Sequence, residues 1–447
     1  MQLKEQNNTS YPRVLLIYNS RINKADQHGV SIRAWFSDWP KDHLAQIYSG
    51  GEVGTEVFCG HNFKIGQNER RLGKYFLKLK GSSIGQSSYN LPVDKNFTKL
   101  NKLSISTLLK NKIGEWLLNT GLWEFIFKPV LSERMKDFIN DFAPDIIYCQ
   151  GYTLSFTWLP VMIYKKYKLP ICFQTGDDWA TYLYRDSPLS FAIIPVIMRS
   201  LRTLVDIARL RIANGTPMAK EYSNTYKVPF EVIMMCDSIK RFKDAAPKRV
   251  VDENTISIVY TGGLAFDRWH AIVEVCQAAR LLEVTGKTIM VTIFATLVPP
   301  EAVSSLKKIE NLQIYPGPSH EDLPSFLKGA DILFLPETFN EATANSFRLS
   351  ISTKAHLYMM SEKPILVYAP LVTGIMDYAN QEGWACMVQH HSITELSNGL
   401  QLLITDKDYS KRIVDRGIEV ASKNHDEMIV KAKFLNLLNK AIELPVC

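Results

Sequence analysis

The sequence lacks any apolar run approaching the ~18–20 residues that a membrane-spanning helix needs. Its best candidate, Phe191 to Met198, is stopped by Arg199 and Arg202. The first ten residues are polar and hold no apolar leader segment, which predicts a chain that stays in the cytosol. Cysteine is sparse. The seven residues Cys59, Cys149, Cys172, Cys236, Cys276, Cys386 and Cys447 show no Cys-x-x-Cys spacing. Several sit inside apolar strand-like runs, so they read as reduced core residues. No complete Gly-x-Gly-x-x-Gly follows the first strand-like run, which argues against a dinucleotide dehydrogenase. The Asp-x-Asp at Asp406-Lys-Asp408 lies between late helical segments and reads as a helix cap, so no metal site and no cofactor are expected.

What is present is the composition of a globular protein. Of 447 residues, 46% are hydrophobic and 22% charged, enough for two or three domains. The net charge of +7 conceals an asymmetry: residues 1–245 hold 33 Lys and Arg against 22 Asp and Glu, residues 246–447 only 19 against 23. The excess is densest between Lys64 and Lys136, with 14 basic and 5 acidic residues. A basic face suits nucleic acid or an anionic membrane surface. No recognition motif accompanies the charge, so no nucleic-acid partner is expected.

Arg13 to Tyr18 is a continuous apolar run, as expected of a parallel strand buried on both faces. A polar loop and then His28-Gly-Val-Ser-Ile-Arg33 open a helix. Strand runs recur at Val53–Phe58, Asp145–Cys149, Pro170–Gln174 and Leu210–Ala213, with helical patterns between most of them. Residues 64–136 break this rhythm and read as a basic insertion carrying an amphipathic helix. A polar segment, Arg241–Arg249, reads as a linker. A second series follows, with strands at Ile256–Tyr260, Thr288–Phe294, Leu312–Tyr315, Ile332–Leu335 and Ile365–Tyr368. The fold class is therefore α/β, with two tandem doubly wound Rossmann-like domains facing a cleft. The expected boundaries are 1–245 for the first domain, 254–425 for the second, and 426–447 for a C-terminal helix packing back on the first.

Gly262-Gly263 lies between a strand and a helix, where bare backbone and a helix N-terminus can approach a phosphate. Arg268 falls at the helix start, where its guanidinium can grip a diphosphate. In Ser350-Ile-Ser-Thr-Lys354, Ser352 or Thr353 reads as an N-cap with Lys354 in the first turn. The helix dipole disfavours a cation there, which points to a bound anion nearby. In a doubly wound domain both elements face one crevice. Asp177 and Asp178 follow a strand, and either carboxylate can orient an acceptor hydroxyl, accept its proton or cap a helix. His28 is a candidate cleft residue.

The stretch from Ile256 to Val388 resembles the donor domain of GT-B glycosyltransferases, in particular the GT4-like group of bacterial polysaccharide synthesis. The resemblance rests on Ile258-Val-Tyr-Thr-Gly-Gly-Leu264, Leu323–Asp331, Leu333–Pro336 and Ser352–Leu366, which is similar to a "Pro/Ser-x-Lys…Lys-Pro-Val" signature. It implies that Arg268 and Lys354 bind the diphosphate of a nucleotide-sugar donor and that transfer retains the anomeric configuration. It implies that Gly29 belongs to a loop beneath sugar and acceptor, and that Gln174–Trp179 stands where relatives have His-Asp. The family's ribose-binding Glu-x7-Glu pair is absent, its positions being Leu349 and Leu357. GT-B enzymes use cationic side chains where other glycosyltransferases use a metal.

The acceptor expected is lipid-linked or a saccharide. Trp116, Trp123, Phe125 and Phe127 among lysines suit an anionic membrane surface, placing the protein peripherally on the inner face of the cytoplasmic membrane. A UDP-sugar 2-epimerase-like enzyme and a non-catalytic nucleotide-sugar-binding protein are the alternatives.

Overall fold

A computed structural model describes residues 11–22, 29–50, 57–76, 105–282 and 288–444. Two parallel sheets organise it. The first contains β1 (Val14–Ile17), β2 (Leu44–Tyr48), β3 (His61–Lys64), β4 (Ile146–Cys149), β5 (Ile171–Thr175), β6 (Leu210–Ala213) and β7 (Glu231–Val232). Their spatial order is β3-β2-β1-β4-β5-β6-β7. The second contains β8 (Thr255–Thr261), β9 (Thr288–Ala295), β10 (Leu312–Pro316), β11 (Ile332–Pro336), β12 (Ile365–Tyr368) and β13 (Cys386–Val388), ordered β10-β9-β8-β11-β12-β13. Each sheet reverses its winding direction once, between β1 and β4 and between β8 and β11. Ligand crevices form at such switch points, beyond the carboxyl ends of the strands.

The central strands are buried along their whole length because helices cover both faces of each sheet. The two halves are thus α/β domains, as the alternating apolar runs predict. The strand expected at Val53–Phe58 falls mostly on residues 51–56, outside the described residues; the edge strand seen is His61–Lys64. The segment read as a linker corrects differently. Ser238 accepts a hydrogen bond from Arg241 N and starts a helix, Ile239–Asp244, whose Phe242 is fully buried in the second domain's core.

The chain crosses between domains twice, and the crossings pair with each other. Asp237 N donates to His425 O at 3.2 Å, and Glu427 N donates to Asp237 O at 3.1 Å. His425 breaks the long helical tail into Lys407–Asn424 and Glu427–Glu443. Its buried ring donates from Nδ1 to Met235 O at 2.6 Å and accepts at Nε2 from the Tyr378 hydroxyl, 2.9 Å away. Burial pulls its pKa down to about 4, so the ring is neutral. The last helix returns to the first domain. Phe434 packs against Trp35, Phe36 and Tyr148, with ring centroids 5.3, 5.0 and 6.3 Å apart.

The six cysteines among the described residues are buried, and burial pushes each thiol up. Cys447 lies outside the described residues. Among those residues no helix is long and apolar enough to cross a membrane. Asp406 accepts a hydrogen bond from Tyr409 N at 2.8 Å, which makes the Asp-x-Asp a helix cap.

Candidate functional site

The crevice beyond β8 and β11 is built by a short turn. β8 runs into Gly262, whose φ of 133° lies in a region that favours glycine. A Cβ there would collide with Cε of Lys354. Tyr260 supports the turn by donating its hydroxyl to Gly263 O at 2.7 Å. Phe266 and Asp267 then take φ of 59° and 60°, strained values for residues with side chains, before the helix Arg268–Arg280 begins. No side chain caps that helix start.

Arg268 and Lys354 are brought together there. Arg268 Nε donates to Glu337 Oε2 at 2.8 Å, and Glu337 directly follows β11, so this ion pair spans the switch point. The guanidinium also lies 4.9 Å from the Phe347 ring centroid and 5.6 Å from that of Phe266. Burial works to lower the Arg268 pKa, but Glu337, Tyr260 and Asp177 together outweigh it and hold the cation. Lys354 Nζ sits 5.4 Å from the Tyr260 ring centroid. Burial and then the Arg268 charge pull this lysine down to about 8, against the opposing pull of Glu337. Two cations thus converge beside bare glycine backbone, one of them paired with the Glu337 carboxylate.

The capping assignment is corrected. Neither Ser352 nor Thr353 caps the helix Ala355–Met360; Lys354 itself is the N-cap residue, without a side-chain cap bond. Ser352 contributes its carbonyl, which accepts from Ala355 N at 3.0 Å. The reason is the tight turn at residues 352–354, which takes Lys354 out of the first helical turn and aims its side chain at Gly262.

The first domain meets this crevice through the loop after β5. Asp177 accepts from Ser350 Oγ at 3.1 Å. Burial pushes its carboxyl up, while the Ser350 hydrogen bond, the Arg268 charge and the Tyr152 hydroxyl hold it back. Asp178 accepts from Arg348 Nη2 at 3.0 Å and from the Tyr222 hydroxyl at 2.7 Å. Arg348 also pairs with Glu221 at 3.3 Å. Both aspartates therefore reach the second domain. Asp178 is the N-cap residue of the helix Trp179–Tyr182 but makes no side-chain cap bond.

Gly29, with φ 72°, precedes the helix Val30–Phe36 at the β1 end of the first domain's switch point. Across it, Gln150 Nε2 donates to Ser31 Oγ at 3.1 Å, and Tyr152 holds a φ of 62°. His28 lies outside the described residues. In the basic insertion, Phe127 is buried and Phe125 packs on Trp158, with centroids 5.8 Å apart, so both turn inward. Ile113 and Trp116 stay more than half exposed on the helix Ile105–Thr120.

Four contributors escaped the sequence reading: Glu337, Arg348, Ser350 and Tyr152. Glu337 directly follows the apolar run Leu333–Pro336, yet only the fold brings it to Arg268. Gly151-Tyr152 after an apolar run was the signal available for the strained turn.

No protein-family profile matches the sequence. No curated protein sequence matches it either. Solved structures do match. Sucrose-phosphate synthase from Thermosynechococcus elongatus superposes with a TM-score of 0.60 at 11% identity, covering 96% of this chain and 98% of that one. HepE of Anabaena, in complex with UDP, gives 0.58 at 12% identity over 96% and 100%. WaaG, a glycosyltransferase involved in lipopolysaccharide biosynthesis, gives 0.55 at 10% identity over 95% and 99%. At such identities the likeness concerns the fold alone: this chain has the two-domain parallel-sheet α/β fold of the GT-B glycosyltransferases.

Proposed function

We propose that the protein is a glycosyltransferase that moves a sugar from a nucleotide-diphosphate donor to an acceptor hydroxyl, with retained configuration. The observation that carries this reading is the convergence of Arg268 and Lys354 beside Gly262 at the β8/β11 switch point. The complexes of HepE with UDP and UDP-glucose support a nucleotide sugar as the donor.

Cleaving the anomeric bond leaves negative charge on the diphosphate and positive character on the sugar. Arg268, Lys354 and the uncapped start of the Arg268–Arg280 helix would neutralise the leaving group. These cations take the part a divalent metal plays elsewhere, so neither metal nor cofactor is required. The diphosphate would compete with Glu337 for Arg268 and return Lys354 to full protonation. Asp177, buried where the domains meet, would orient the acceptor hydroxyl or take its proton; its raised pKa makes it a better base. Closure of the cleft excludes water and limits hydrolysis.

The acceptor is lipid-linked or a saccharide, in cell-surface polysaccharide or glycolipid synthesis. Exposed Ile113 and Trp116, beside Lys112, support docking of the first domain on the anionic inner face of the cytoplasmic membrane. The test of the donor site is UDP titration by calorimetry against Lys354→Met. Equal affinity in variant and wild type would remove the lysine from it.

A further inference from the structure

The second domain holds a recess at the end of its sheet opposite the crevice. A cavity of about 810 Å³ lies at the first residues of β8, β11 and β12. β8 runs seven residues from there to the Gly262 turn, which at ~3.3 Å per residue puts the two recesses roughly 20 Å apart. The packed core around Ile258 and Tyr260 separates them. One wall of the cavity is the chain entering the domain, residues 249–255. The other is the corner between the helices Ile393–Thr405 and Lys407–Asn424.

The lining has two parts. Its floor is apolar: Ile256, Ile332 and Leu403 are buried, and Pro364, Ile404 and Val414 stand partly exposed beside them. Its rim is polar and charged, and most of that rim is already answered from within the protein. Arg249 and Asp331 meet at 3.0 Å. Arg249 also donates to Thr255 O at 2.8 Å, and Asp331 accepts from Ser257 N at 2.8 Å. Thr255 and Ser410 spend their hydroxyl protons on Asp252 Oδ1 and Leu403 O.

Lys363 is the exception. It is partly buried, yet makes no hydrogen bond or ion pair among the described residues. Glu362, held at a φ of 58°, and Pro364 fix the backbone on either side of it. Burial pulls the Lys363 pKa down, and the nearby Asp331 restores it only in part. Lys407, on the helical wall, is likewise without a hydrogen bond or ion pair among the described residues.

These charges decide the sign of a ligand. Glu253 and Glu362 also line the recess without partners, but both are exposed and water answers them. A partly desolvated ammonium without a partner is stabilised by an anion and destabilised by a second cation. The volume, inside the ~300–1,000 Å³ of small-molecule sites, leaves room beyond an anionic head for an apolar body on the floor.

We infer that this recess is a second ligand site, for a small anionic amphiphile. Its carboxylate or phosphate head is drawn by Lys363 and Lys407, and its apolar body covers Ile256, Ile332 and Leu403. The inference is independent of the glycosyltransferase reading, because the recess shares no residue with the crevice.

The test is calorimetry on the full chain with octanoate and octyl phosphate, against octanol, octylammonium and inorganic phosphate. At least one of the two octyl anions should bind at one site per chain, and the tighter of them names the head group. Octanol, octylammonium and inorganic phosphate should each bind at least tenfold more weakly. Lys363→Gln should weaken the octyl anion at least tenfold, and Val414→Trp, which fills the recess, should abolish its binding. Saturating UDP should change its affinity by less than twofold. Failure of both octyl anions to bind saturably overturns the site, as does unchanged affinity in Lys363→Gln. Displacement by UDP puts the anion in the crevice and also overturns it. Octylammonium binding as tightly overturns the anionic head, and inorganic phosphate binding as tightly overturns the apolar body.

Discussion

UDP affinity should fall as pH rises through 8. Lys354 is held at about 8 in the empty crevice by burial and the Arg268 charge. A bound diphosphate restores the ammonium, moving its pKa back toward the ordinary 10.5. Below about pH 8 the lysine is protonated in both states and contributes no pH dependence. Between the two pKa values binding must recruit a proton, and each pH unit then weakens affinity up to tenfold, about 1.4 kcal/mol. Relative to pH 7 the loss is about tenfold at pH 9. The ligand's phosphate, with a second ionisation near 6, stays fully charged across this window. Calorimetry in two buffers of different ionisation enthalpy measures the uptake directly, about half a proton near pH 8. Lys354→Met should bind UDP more weakly with a flat profile across the window. A flat wild-type profile from pH 7 to 9.5, or the same slope in Lys354→Met, refutes the reasoning.

The same lysine costs stability without ligand. Its folded pKa lies below its unfolded one, so the penalty is full below pH 8 and disappears as pH rises toward 10.5. Lys354→Met should therefore raise the apo melting temperature at pH 7, with the gain shrinking by pH 10; a constant gain contradicts it. Arg268→Ala strands the buried Glu337 carboxylate and should cost about 3–5 kcal/mol in urea unfolding, with Arg268→Ala/Glu337→Ala costing less than the two singles summed. Additive losses would mean the pair does not interact. Gly262→Ala forces a Cβ against Lys354 in a backbone conformation that suits glycine, so it should lose UDP binding; wild-type affinity by calorimetry rejects the packing argument. Asp177→Asn should lower turnover more than donor affinity, and a variant with full kcat removes Asp177 from the chemistry.

The fold was legible where burial is uniform. Ile365–Tyr368 reads as a strand to the residue, because a strand covered on both faces is a plain apolar run. Leu44–Tyr48 was missed because Gln46 interrupts it. That side chain is fully buried, yet its amide donates to Ser20 O at 2.7 Å and its oxygen accepts from Ile22 N at 3.2 Å. A polar residue satisfied by a distant loop looks like a breaker in one dimension. Arg268 is legible as a candidate from its place after a strand and Lys354 from its place at a helix start, but their partners are not. Glu337 and Arg348 acquire meaning only through Arg268 and Asp178, each far away along the chain. The strained pair Phe266-Asp267 carries no glycine to announce it.

The returning C-terminal helix bears on how the protein is made. One layer of the first domain's core, including Leu16, Trp35, Phe36 and Tyr148, is completed by Val430, Phe434 and Leu438. During synthesis those aromatic rings face water until the last helix has left the ribosome, long after the first sheet can form. That layer of the first domain is therefore completed only after the second domain has been translated. A chain cut short before the last helix leaves an apolar face for chaperones or for other nascent chains to occupy.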